Sequence, residues 1–220
     1  MTPFASTDPS AATSRQVPVV DLQSDLGSKP HPIEKQAAWC LATFAGRLSE
    51  LSGDSAGAPL SLVFRLVLEA QQKDEPVAWI TSRQSTFFPP DAADNGVDLD
   101  ALAVIQTRDI LTTARAAEHL LRSSAFGLLV LDLGSDSRLP LHAQSRLAGQ
   151  ARCHETALVC LTEKQKRRDS LSPLVSLRAH TRAIERQGQR FRCQAGILKD
   201  KHRGPGWSHV EVCRGPDGLH

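Results

Sequence analysis

The densest group of chemically active side chains is Lys164-Gln165-Lys166-Arg167-Arg168, four cations within five residues. Cations at that spacing suit phosphate oxygens, and loose contact with a nucleic-acid backbone through Lys164, Lys166, Arg167 and Arg168 is one expectation. A solvated face is the other. A groove that follows a single strand usually adds aromatic stacking, but the chain has no Tyr, and no Phe or Trp lies near Lys164. Arg178, Arg182 and Arg186 recur every four residues, which in a strand puts all three on one face. Metal chemistry is not expected. Cys153-His154 lies seven residues before Cys160, no second pair has ligand spacing, and Cys160, Cys193 and Cys213 sit in apolar runs as small core residues do. No Ser-His-Asp order stands out, and a Gly-x-Ser-x-Gly elbow is absent.

The elements that must position these residues alternate. Residues 46–52, 76–81, 102–106, 128–133 and 157–162 read as strands. Residues 34–44, 59–73, 108–124 and 141–154 read as helices. Ile110, Ala114, Ala117, Leu120 and Leu121 mark the apolar face of one of them. Such alternation implies parallel β-α-β units with right-handed crossovers. After Glu163 the pattern changes to three β-like stretches, 176–186, 190–198 and 208–213, with Gly188 at a turn, so an antiparallel meander should extend the parallel core. Residues 1–30, rich in Ser, Thr, Ala, Pro and Asp without period, read as a disordered tail, and 31–220 as a single domain.

With 220 residues, 40% of them hydrophobic, the chain can bury a sizeable core. No apolar stretch is long enough for a bilayer, no secretory signal opens the chain, and five scattered cysteines suggest a reduced, cytoplasmic setting. The net charge of +2 is unevenly spread: residues 151–220 carry 14 Lys and Arg against 7 Asp and Glu, while residues 1–150 carry 12 against 17. The C-terminal third is expected to face something acidic.

Four segments in order resemble the RecA recombinases: 46–60 their strand, P-loop and helix; Gly96-Val97-Asp98-Leu99-Asp100-Ala101-Leu102 the approach to a core strand; Leu128-Leu129-Val130-Leu131-Asp132 the Walker B strand; and Ile197-Leu198-Lys199-Asp200-Lys201 the late strand ending in Lys-x-Lys. The resemblance covers about residues 46–216 and implies a RecA-like α/β core, a mostly parallel twisted sheet flanked by helices. Among RecA-like families lacking a working P-loop, the chain looks most like ImuA, which is encoded with components of mutagenic translesion synthesis.

A working P-loop needs a Lys for the β/γ-phosphates and a Ser/Thr hydroxyl for Mg²⁺. The resemblance aligns Ala58 and Pro59 with those two positions and Ser52 with the first motif glycine; Gly53 and Gly57 remain in the loop. The catalytic Glu expected after the second strand is replaced by Ser82-Arg83-Gln84, and Asp132 persists as a polar strand end. No catalytic residue and no cofactor are therefore expected.

The resemblance implies a binding role in DNA-damage-induced mutagenesis. In RecA filaments the Lys-x-Lys pair reaches the ATP of the neighbouring protomer, so Lys199 and Lys201, with Arg203, are candidates for docking on RecA. An ImuB-type Y-family-like protein and an error-prone C-family DNA polymerase are the other implied partners. The alternatives are a SulA-like division inhibitor and a weak DNA-dependent NTPase.

Overall fold

The computed structural model describes residues 39–53, 57–82, 87–135, 138–187 and 190–214; the expected tail 1–30, and residues 34–38 of the first expected helix, lie outside them. Eight strands form one sheet in the order β3-β2-β4-β5-β1-β6-β7-β8. They are β1 (Leu48–Gly53), β2 (Val77–Ser82), β3 (Leu102–Thr107), β4 (Leu128–Asp132), β5 (Ala157–Glu163), β6 (Leu177–Gln187), β7 (Arg190–Asp200) and β8 (Ser208–Arg214). The first six pair with one another in parallel, and β7 and β8 add on antiparallel. A parallel core with an antiparallel extension is the architecture that the change of pattern after Glu163 implies.

β4, Leu-Leu-Val-Leu-Asp, is a near-continuous apolar run buried throughout, as suits a parallel strand between helices. β1 is equally buried but carries Ser49, Glu50 and Ser52. One face packs on α1 (Leu41–Phe44) and α2 (Gly57–Gln71), with Phe44, Phe64, Trp79 and Val130 in its core. The opposite face packs on α4 (Ile110–Arg122) and α5 (Leu141–Cys153) through Leu121, Leu129, Leu131 and Leu147. α4 opens on an Asp109 cap whose carboxylate accepts the Thr112 N–H at 2.8 Å. Gly46 turns the chain from α1 into β1 at φ +66°, a left-handed conformation that costs glycine little.

One element lies outside the expected set: Phe87 and Phe88 lead into a short helix, α3 (Pro89–Asp94), because proline suits the first helical turn. Phe87 packs on Trp79 at 4.9 Å between ring centroids, while Phe88 is exposed. The expected row of three arginines needs correction: a bulge at Ile184 interrupts the pairing of β6 with β7 between Arg182 and Arg186, and the side chain of Arg186 is outside those described. Arg178, moreover, is buried.

Candidate functional site

Two buried carboxylates organise the basic side chains of the C-terminal third. Glu50, in the middle of β1, has no exposed surface. An unpaired carboxylate there would be costly, and each oxygen is met. Oε1 accepts from Lys164 Nζ at 3.0 Å and Thr162 Oγ1 at 3.2 Å. Oε2 accepts from the Leu171 N–H at 2.8 Å and Ser170 Oγ at 2.9 Å, with Arg178 Nε at 3.5 Å. Arg178 Nη2 in turn donates to the Arg168 carbonyl at 2.6 Å. Glu50 thereby ties the segment after β5 to the central strand from both ends.

Among the four cations at 164–168, Lys164 is thus committed inside the fold, its side chain only 15% exposed. Lys166, Arg167 and Arg168 are exposed. Of these only Arg168 lines an open cleft of about 690 Å³, whose wall mixes Arg138, Lys164 and Arg168 with Glu163 and Asp169.

Asp200 is the second carboxylate. Its Oδ1 lies 2.6 Å from Arg47 Nη2, both side chains nearly inaccessible, and Oδ2 accepts from Trp207 Nε1 at 3.2 Å. Arg47 also donates to Ser176 Oγ at 2.8 Å and to the carbonyls of Ser176 and Thr43. Burial pushes the Asp200 carboxyl up, but the His202 N–H, the Arg47 guanidinium and the Trp207 N–H outweigh it and hold the group below its ordinary value. The same carboxylate accepts the His202 N–H at 2.9 Å, and the Gly204 N–H bonds to the Asp200 carbonyl. The result is a turn displaying Lys201, His202 and Arg203, all exposed.

Lys199 and Lys201 converge: each ammonium donates to the Pro173 carbonyl at 3.1 Å. Burial first, then the charge of Lys201, lowers the Lys199 pKa below the ordinary lysine value. Two like charges sharing one neutral acceptor would gain from an anion placed between them.

The loop ahead of α2 is differently equipped. Ser52 Oγ donates to the Ala179 carbonyl at 3.2 Å, and Thr181 Oγ1 donates to the Ser52 carbonyl, so Ser52 joins β1 to β6. The Gly53 carbonyl accepts the Lys164 N–H. Gly57 opens α2; Ala58 and Pro59 are buried in its first turn. Asp132 is buried and receives Thr81 Oγ1 at 3.5 Å. The space bounded by Pro59, Leu60, Asp132, Gly134, Leu161 and Thr162 is about 10 Å³, room for roughly one water. Residues 54–56 of the loop, and Arg83 and Gln84 after β2, lie outside the described residues. Among the described residues no three His, Cys, Asp or Glu side chains gather as a metal site, and no helix is long and apolar enough to cross a membrane.

The β1–α2 loop at the carboxyl end of β1, the flanking order β4-β5-β1-β6 and the antiparallel β7–β8 extension define an α/β fold of the RecA type. The sequence carries the same relationship. Over 105 residues it is 30% identical to Protein RecA of Chlorobium limicola and to Protein RecA of Chlorobaculum tepidum. The match takes in 48% of this chain but spans only 29% of either relative. No protein-family model matches.

Sequence reasoning passed over Glu50, Arg47 and Trp207. The local signal for Glu50 is slight, a carboxylate between Leu48 and Leu51 in a strand with no other charge. Nothing local marks Arg47 as the partner of a residue 153 positions away.

Proposed function

We propose that this chain is a catalytically inactive, RecA-related accessory protein of DNA repair, and more narrowly an ImuA-like component of damage-induced translesion synthesis that docks on RecA. The observation that carries the reading is the pair Lys199 and Lys201, held side by side on Pro173 next to a turn anchored by the buried Arg47–Asp200 pair. A cation pair without its own anion fits a phosphate presented by a partner. Arg203, exposed on the same turn, extends the basic edge.

The β1–α2 loop supports the inactive half of the proposal. Ala58 supplies no charge for a polyphosphate, Pro59 has neither hydroxyl nor N–H, and both are buried in the first turn of α2. Gly53 pairs in register with Thr181, four residues further along β6 than the Leu177–Asp200 pair beside the lysines, about 13 Å at strand rise. The two regions are therefore separate surfaces. A chain that offers the basic one to RecA while its own loop cannot accept the next subunit would cap or shorten a filament. The ImuB-type protein and the C-family polymerase would be held elsewhere on the molecule.

Binding to purified RecA, with ATP and with a non-hydrolysable analogue, tests the reading together with the chain's own ATPase rate. The double variant Lys199→Ala/Lys201→Ala should bind RecA at least about tenfold more weakly with unchanged circular dichroism. Equal affinity sinks the docking half, and steady turnover of ATP by this chain sinks the inactive half.

A further inference from the structure

Lys199 differs from the ion-paired lysines in what surrounds its amine. It lies in register with Arg178 on β6, and Arg178 lies in register with Glu50 on β1, so the three share one face of the sheet. Glu50 is already met on both oxygens, by Lys164, Thr162, Ser170 and the Leu171 N–H, with Arg178 at 3.5 Å. Lys199 therefore has a guanidinium across the strand pair, where Lys164 and Lys73 have the carboxylates of Glu50 and Glu69.

Its hydrogen bond goes to the Pro173 carbonyl at 3.1 Å, and Lys201 donates to the same oxygen at the same distance. The two nitrogens are thus no further apart than twice that length. A carbonyl accepts an N–H from a neutral amine as well as from an ammonium, whereas a carboxylate favours the ammonium. Lys199 can give up a proton, keep this bond and hold its lone pair free. Burial, then the charge of Lys201, pushes it in that direction. The site is open, since Pro173 and Lys201 are exposed and Lys199 is half-buried. Its backbone is fixed: the Lys201 N–H donates to the Ser176 carbonyl at 2.9 Å, and Asp200, between the two lysines, is locked to Arg47.

We propose that Lys199 is a covalent modification site that takes an acyl group from an acyl phosphate, with Lys201 as the positioning residue that holds the donor's phosphate. The lone pair of Lys199 Nζ attacks the acyl carbon, an N–C bond forms, and the C–O bond to the phosphate breaks. The electron pair of that bond leaves on inorganic phosphate, which takes the proton released by the nitrogen. The products are a neutral amide and hydrogen phosphate. Desolvation and a neighbouring cation are the two devices that make a lysine amine nucleophilic, and both act on Lys199. Lys201 decides the class of donor. A dianionic leaving group next to the reacting carbonyl gives the second ammonium a partner and relieves the like charges that share Pro173. A thioester carries no charge at its leaving atom and gains nothing from Lys201. Acylation removes one of the two charges on which the proposed docking on RecA rests, so it would switch that contact off. Only this consequence, not the modification itself, depends on the docking reading.

The test is to incubate the full chain with acetyl phosphate and follow the acetyl groups over time by peptide mass spectrometry. Lys199 should be acetylated at least about tenfold faster than the exposed Lys166 or the ion-paired Lys73. Inorganic phosphate should slow the reaction at Lys199 and leave Lys166 unaffected, and a neutral thioester of N-acetylcysteamine should show a smaller preference for Lys199. Lys201→Ala should slow acetylation of Lys199 at least about tenfold, while Lys201→Arg, which keeps the cation, should restore most of the rate. Lys201 is exposed, and circular dichroism checks that both variants fold. Four outcomes would overturn the proposal: equal rates at Lys199 and Lys166, no effect of Lys201→Ala, no competition by phosphate, or an equal preference with the thioester. The assay contains no RecA, so its result is separate from that of the docking test.

Discussion

At the scale of single residues, the basic side chains sort into two kinds by what lies beneath them. Lys164 and Arg178 close the charge of a carboxylate that no water reaches, whereas Lys201 and Arg203 project from a turn whose carboxylate already has its partners. Removing Glu50 should therefore harm the fold more than removing any exposed cation. Glu50→Ala strands Lys164 and Arg178 and is expected to cost about 3–5 kcal/mol in urea unfolding, while Arg167→Ala should change stability little. Asp200 predicts a pH dependence. Its folded pKa lies below the ordinary 3.8, so its contribution is complete above that value and is lost as pH falls through the lower folded value. Urea midpoints measured from neutral to strongly acidic pH should fall on that limb, and Asp200→Asn, less stable at neutral pH, should show a flatter one.

At the scale of elements, helices and strands follow from apolar periodicity, and errors arise where a local rule meets a tertiary one. α4 shows the agreement: Ala114, Ala117 and Leu121 are buried against β2, β3 and β4 at the helical spacing visible in the sequence. Leu121→Ala, at a site without exposed surface, should lower unfolding free energy by about 2–5 kcal/mol and shift the thermal midpoint downward. β6 shows the conflict. Even spacing of Arg178, Arg182 and Arg186 predicts a common face, but the bulge at Ile184 resets the register, and Glu50 draws Arg178 into the interior.

For the whole molecule, the sheet separates two regions that the proposed role needs apart. Pro59 and Asp132 flank the small space near the ends of β1 and β4, while Lys199 and Lys201 stand at the end of β7, across the junction where parallel pairing gives way to antiparallel. If the basic region steers association with RecA, the association rate should fall steeply as salt rises, with a smaller effect on dissociation. Stopped-flow measurements over a range of ionic strength check this, and a salt-independent association rate would speak against an electrostatic interface. ATP should not raise the chain's thermal midpoint if the loop at Ala58 and Pro59 cannot hold it.

The alternation of strands and longer helices, though not the short helix α3, and the change to antiparallel strands after Glu163 were legible in the sequence, because periodicity is a local property. The same holds for the basic bias of the C-terminal third and the Lys199, Lys201 pair. The order β3-β2-β4-β5-β1-β6-β7-β8 was not, since it depends on which strands meet once helices cover both faces. Nor could spacing tell which cations remain available: that was decided by Glu50 and Asp200, whose burial demands partners from segments more than a hundred residues away.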